Sequence, residues 1–189
     1  MQNKTIKEIL SRYPKQRKAL PEVYQKIYTE HYTDNREGNT KTTSKAQKLE
    51  EWLHKKIAEL SSRELTTLEI GAGTINQLNF EKAGRVYDII EPFKELYENS
   101  PHLKNTTKIY KDIDEVSKTS LYDRIISVAV LEHIADLPQL ISKSCLHLEK
   151  NGVFQAAIPN EGTIMWRMGT MYTGRGFKKK YGLDYQVLM

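Results

Sequence analysis

From Arg63 onward the chain repeats one pattern: a short apolar, β-branched run, a turn, residues at helical spacing, then the next apolar run. The runs fall at residues 65–70, 86–90, 108–113, 122–131 and 153–158. Strands that alternate with helices pair in parallel through right-handed crossovers, because each helix returns the chain to the same end of the sheet. The pattern predicts a doubly wound α/β fold, with a mainly parallel, Rossmann-like sheet and helices on both faces. The longest apolar stretch, IISVAVL at 125–131, is too short to cross a bilayer and reads as a buried strand.

Helices are expected at 74–82, at 93–99 with Pro92 in the first helical position, and at 137–149, closed by Asn151-Gly152. Before the alternation begins, Tyr24, Tyr28 and Tyr32 recur every four residues beside Val23 and Ile27, the spacing of an amphipathic helix. A polar stretch, TDNREGNTKTTS at 33–44, follows. Ser44 is placed to cap a second helix running to residue 61, with Leu49, Trp52, Leu53, Ile57 and Leu60 on one face. The organisation expected is an N-terminal helical lid at 1–62, a sheet core at 63–160 and a basic tail at 161–189.

Charge follows the same division. Residues 1–62 carry 13 basic and 8 acidic side chains, 63–160 carry 11 and 14, and 161–189 carry 5 and 2. Basic flanks around an acidic centre could favour an anionic partner, but ordinary solvated lysines are the preferred reading. The segment GRGFKKKYG at 174–182 mixes cations and aromatics, yet a short solvated turn is the preferred reading over a nucleic-acid contact. Cys145 is the only cysteine, which excludes an intramolecular disulfide and fits a reducing compartment. Its neighbours Leu140, Ile141, Leu146 and Leu148 suggest a packed, inert thiol. The opening MQNKTIKEIL lacks the apolar core of a secretory signal, so a cytoplasmic protein without a membrane span is expected. His31, His54, His102, His133 and His147 show no metal-site spacing, and neither a phosphate-loop lysine motif nor a nucleophile-elbow serine motif occurs.

The chemistry concentrates where the first run ends. In doubly wound sheets ligands bind beyond the carboxyl ends of the strands, where the strand order reverses. There Gly71-Ala72-Gly73-Thr74-Ile75-Asn76 has two glycines of a dinucleotide-type turn, with Asn76 in place of the third. Glu91 stands 20 residues after Gly71, at the end of the second run, and Asp112 closes the third. Carboxylates at neighbouring strand ends suit a ligand with ribose hydroxyls and amine donors, and suit a pyrophosphate poorly.

Taken in order, LEIGAG, DIIEP, KDI and SVAVLEHIADLPQL with LEKNGVFQAAIPN resemble the successive motifs of class I S-adenosylmethionine-dependent methyltransferases. The nearest likeness is to the small-molecule group with a LEHI-type fourth motif, over about half of the chain. YTEHYTDNREG and KLEEWLHKKIAE also resemble the helical lid that precedes such cores in some bacterial members. The resemblance implies S-adenosylmethionine as cofactor and a small, sugar-type or anionic acceptor. By it, Gly71, Ala72 and Gly73 pass beneath the methionine and ribose, and Glu69 orients the methionine amine. Glu91, with Pro92 beside it, binds the ribose; Asp112 and the Ile113 backbone meet the adenine; Val130 and Leu131 line the sulfonium. Ile75 departs from the family's commonest loop pattern.

A base is needed only for a protonated acceptor. His133 with Glu132 beside it is the best base candidate, with His31 or Tyr32 as rivals, and a capping, packing or substrate-orienting role is the preferred reading of His133. Tyr28, His31, Tyr32, Asn35, Arg36 and Asn160 are candidate substrate contacts, with helix packing and loop polarity as the rival explanation for the lid residues. Class I members usually add antiparallel strands after the fifth. The tail instead has Met165, Trp166, Met168 and Met171 in a helix-like stretch, then the basic turn and LDYQVLM, so those strands look short or missing. Two other readings remain: a nicotinamide-dependent oxidoreductase, which shares the strand–glycine–acid arrangement, and a non-catalytic nucleotide-binding or assembly module. Self-association is left open.

Overall fold

In a computed structural model of the chain, the residues described are 2–16, 43–82, 84–158, 178–179 and 182. The chain divides into two compact units, Met1–Gln16 with Leu49–Ile158, and Arg17–Lys48 with Pro159–Met189. The tyrosine-repeat helix, the polar loop up to residue 42 and the apolar stretch at 165–171 lie outside the described residues.

Helices α1 (Gln2–Leu10) and α2 (Thr43–Ala58) precede the sheet. The sheet consists of β1 (Thr66–Ile70), β2 (Val86–Ile90), β3 (Ile109–Tyr110), β4 (Tyr122–Val128) and β5 (Leu148–Ala157). Its order is β3-β2-β1-β4-β5, and every pairing is parallel. Short helices α3 (Lys94–Tyr97) and α4 (Leu137–Cys145) lie in the crossovers. Strand order therefore reverses between β1 and β4, and in doubly wound sheets the carboxyl ends at such a point are where ligands bind. β1 and β2 are buried at all but their first residues, as strands covered on both faces must be. On one face Leu53 and Ile57 of α2 pack with Ile75, Tyr87, Ile89, Ile126 and Val128. On the other, Leu140 of α4 packs against Leu68, Ile70, Ile90, Ile113, Tyr122 and Ile125. Each such fully buried aliphatic side chain contributes about 1.5–3 kcal/mol.

Several local expectations are corrected. Residues 74–82 form a short 3-10 turn, Asn76–Asn79, instead of a helix, because Ile75 ahead of it is left-handed (φ 63°). Phe93, not Pro92, holds the cap position of α3, and Pro92 stands one residue earlier. The fourth strand stops at Val128, since Ala129 turns to φ 52° after its amide makes the last ladder bond, to the Ala157 carbonyl at 2.8 Å. The third keeps only two ladder residues before Asp112 caps a 3-10 turn.

Asn151-Gly152 does not close a helix. α4 ends at Cys145 and the pair lies within β5, where the register jumps from Tyr122↔Leu148 to Arg124↔Val153. This bulge brings Gly152 so near β4 that an added Cβ would stand 2.9 Å from the Tyr122 carbonyl oxygen. α2 begins at Thr43, so Ser44 is not its cap, and Trp52 and Leu60 are exposed while Leu53 and Ile57 are buried. Cys145 is exposed as well, because α4 turns Ser144 inward. Among the described residues no helix is long and apolar enough to cross a membrane.

Candidate functional site

The loop after β1 carries three left-handed residues at alternate positions: Gly71 (φ 72°), Gly73 (φ 53°) and Ile75 (φ 63°). Glycine reaches this region freely, whereas a β-branched residue is strained there by about 1–2 kcal/mol. Ile75 is held by full burial in the core beneath α2. A Cβ on Gly71 would sit 2.5 Å from Val130 Cγ1, so the loops after β1 and β4 meet across the switch point only because that side chain is absent.

The loop is fixed from several sides. The amides of Gly71 and Ala72 donate to the Ile90 carbonyl at 2.8 and 3.4 Å. The Ser100 hydroxyl donates to the Thr74 carbonyl at 2.7 Å. Glu91, 5% exposed at the end of β2, makes the most informative contacts. Its Oε2 accepts from the Gly73 amide at 2.8 Å, and its Oε1 accepts from the Phe93 amide at 3.0 Å. Each carboxylate oxygen has two acceptor positions, so one on each remains for a further donor.

Glu69 lies on the α2 side of β1 and is 2% exposed. Burial pushes its carboxyl up to about 7, partly offset by the Tyr87 hydroxyl, which donates to its Oε2 at 2.8 Å. Burial and the Glu69 charge hold the Tyr87 phenol well above its ordinary range, so it remains a donor. Asp112 is exposed, and its Oδ1 accepts from the Asp114 amide at 2.9 Å, capping the turn after β3. The Ile113 side chain is buried in the lower core, away from solvent. Pro92 is exposed next to Glu91.

Beyond β4, Val130 is half-buried, Leu131 is buried, and Leu131–His133 form a 3-10 turn. His133 has a side chain 61% exposed, with Nε2 3.9 Å from Glu132 Oε1. Thus Gly71, Ala72, Gly73, Glu91 and Val130 come together, while Glu69, two residues before Gly71, is buried against Tyr87. Tyr28, His31, Tyr32, Asn35, Arg36 and Asn160 lie outside the described residues.

A polar network under α2 has no counterpart in the sequence reading. His54 Nδ1 and Gln77 Oε1 are 2.7 Å apart, and Gln77 Nε2 donates to the His54 carbonyl (3.3 Å) and to Glu81 Oε1 (2.6 Å). Arg124 Nη1 donates to Glu81 Oε2 at 2.8 Å, Nη2 to the Ile57 carbonyl at 3.0 Å, and Nε to Gln155 Oε1 at 3.0 Å. Burial lowers the His54 pKa, but bonds to Glu50 and Gln77 and the charge of Glu69 leave it above its ordinary value. Arg124 inside the apolar run YDRIISV was the one available signal, since His54 and Gln77 stand in polar segments. Their pairing depends on residues 23 to 67 apart.

A family model described as "Methyltransferase domain" matches residues 42–179. No curated protein matches the chain significantly. The solved structures with similar folds include the plantazolicin methyltransferase BpumL in complex with SAH, 15% identical, covering 82% of this chain and 58% of its own, with a TM-score of 0.51. They also include the "complex between the Haloferax volcanii Trm112 methyltransferase activator and the putative methyltransferase", 16% identical over 67% and 58%, at 0.52. A third is a SAM-dependent methyltransferase from Thermotoga maritima, 13% identical over 66% and 58%, at 0.50. The chain spans 58% of the length of each of these three structures. At such identities the likeness establishes a shared fold.

Proposed function

This chain belongs to the methyltransferase domain family, and from that premise we propose that it transfers a methyl group from S-adenosylmethionine to a small-molecule acceptor. The observation that carries the reading is the Glu91 carboxylate. One backbone amide on each oxygen fixes its plane, and the remaining acceptor positions match the two adjacent hydroxyls of a ribose. The loop beside it is bare main chain at Gly71 and Gly73, which lets a ligand approach closely.

In this reading Glu91 holds the ribose, with Pro92 against the nucleoside. Asp112 and the backbone of Ile113 meet the adenine edge. Gly71, Ala72 and Gly73 carry the amino-acid tail. Glu69, poised near neutrality, takes up charge opposite the tail's ammonium. Val130 and Leu131 close the sulfur end and exclude water. The cofactor supplies a methyl group already activated by a cationic sulfur. The protein then mainly aligns the acceptor, an effect of proximity and orientation.

His133, exposed beside Glu132, accepts the acceptor's proton where it has one. Residues 1–62, with Tyr28, His31, Tyr32, Asn35 and Arg36, and Asn160 after the last strand, supply the acceptor side. A sugar-type or anionic acceptor suits this polar, partly basic set.

The test follows melting with S-adenosylmethionine, S-adenosylhomocysteine and NAD. A ligand at about one hundred times its Kd stabilises by about 2.7 kcal/mol, or about 5–10 °C for a chain of this size. Both sulfur compounds are expected to raise Tm in wild type and not in Glu91→Gln, and NAD to have no effect. A rise with NAD alone assigns the crevice to an oxidoreductase. Binding of the sulfur compounds without transfer across an acceptor screen assigns a non-catalytic module.

A further inference from the structure

We infer that His54, acting through Gln77, is a positioning residue for the glycine loop and thereby for whatever the loop holds. The inference rests on the cofactor reading only for the identity of that ligand. Gln77 is fully buried two residues beyond the left-handed Ile75, so its side chain fixes the end of the loop. The carboxamide's orientation is determined: its nitrogen donates to the His54 carbonyl and to Glu81, which leaves Oε1 facing His54 Nδ1. An acceptor there requires the proton on Nδ1, and His54 Nε2 then faces Glu50 at 3.9 Å.

Gln77 and α2 thus hold each other by reciprocal bonds, one to a side chain and one to main chain. Phe80 stacks on the His54 ring at 5.7 Å, so the imidazole is kept in place from the loop side as well. The Gly73 amide on Glu91 and the Ile75 amide on the Ala72 carbonyl (2.8 Å) report the loop's closure. If α2 releases Gln77, the strained Ile75 loses the constraint that keeps it left-handed.

The test measures amide hydrogen exchange on the full chain without ligand. Three forms are compared: wild type, His54→Leu, which keeps apolar bulk, and His54→Asn, whose amide nitrogen takes the place of Nδ1. His54→Leu is expected to speed exchange at Gly73 and Ile75 about three- to tenfold, with Ile125 and Ile126 unchanged. His54→Asn returns both amides to within about twofold of wild type. Gln77→Met, which keeps bulk but removes the acceptor facing His54 Nδ1, is expected to reproduce the Leu result.

Unchanged loop exchange in His54→Leu, equal acceleration at Ile125 and Ile126, or no rescue by asparagine overturns the inference. In parallel, S-adenosylhomocysteine affinity falls in His54→Leu by the factor seen in exchange and recovers in His54→Asn. If wild type does not bind that compound, the cofactor reading fails while the exchange result still decides the role of His54. If all three forms bind it equally, the positioning role is overturned.

Discussion

Ile75 shows how two opposed effects are resolved at one residue. Its left-handed backbone costs about 1–2 kcal/mol, and removing a fully buried isoleucine side chain costs about 2–5 kcal/mol or more. Packing wins, so Ile75→Gly is expected to lower stability in urea unfolding although it relieves strain; a more stable variant would mean that the loop, not the core, sets this conformation. Glu69 poses a question of charge. Its folded pKa is raised to about 7 by burial, so the stability it contributes is complete below its ordinary value and is lost as pH rises through about 7. Glu69→Gln is therefore expected to match wild type near about pH 5 and to exceed it near about pH 8, measured as Tm. A variant less stable than wild type near about pH 8 would show that the ionised carboxylate stabilises the fold. Both features were invisible beforehand for one reason: the residue types were legible, but backbone sign and depth of burial are not properties of a residue type.

Elements were read well where periodicity is the cause and poorly where a contact is. β1 and β2 were legible because strands covered on both faces consist of apolar and β-branched residues. The helix expected after the glycines is cut to a 3-10 turn because Ile75 ahead of it is left-handed, held so by its burial against α2. Asn151-Gly152 was read as a helix end by its turn chemistry, whereas Gly152 is required by the approach of the Tyr122 carbonyl inside β5. Gly152→Ala is expected to destabilise by about 1–3 kcal/mol through the forced shift of β5 against β4, seen as faster exchange at their shared ladder amides. Unchanged exchange there would show that the bulge adapts.

At the scale of the molecule, the Glu81–Arg124 pair joins layers: the two side chains are 2% and 3% exposed, and Arg124 also reaches Ile57 at the end of α2 and Gln155 in β5. Removing one partner leaves the other charge buried. Arg124→Ala is expected to cost about 3–5 kcal/mol in denaturant unfolding, far more than an exposed pair such as Lys55–Glu51. A loss below about 1 kcal/mol would show that water reaches Glu81. The sequence alone determined the alternation of strands and helices, hence a parallel sheet whose loops after the strands gather at its carboxyl edge, because these follow from period and chain direction. It also supplied the acidic strand ends and the glycines. Tertiary structure alone decided which amides Glu91 holds, how an isoleucine comes to stand in a glycine's conformation, and which buried polar groups tie α2 to the sheet. Those depend on atoms distant along the chain meeting within 3 Å or so, a distance range for hydrogen bonding that no local pattern encodes.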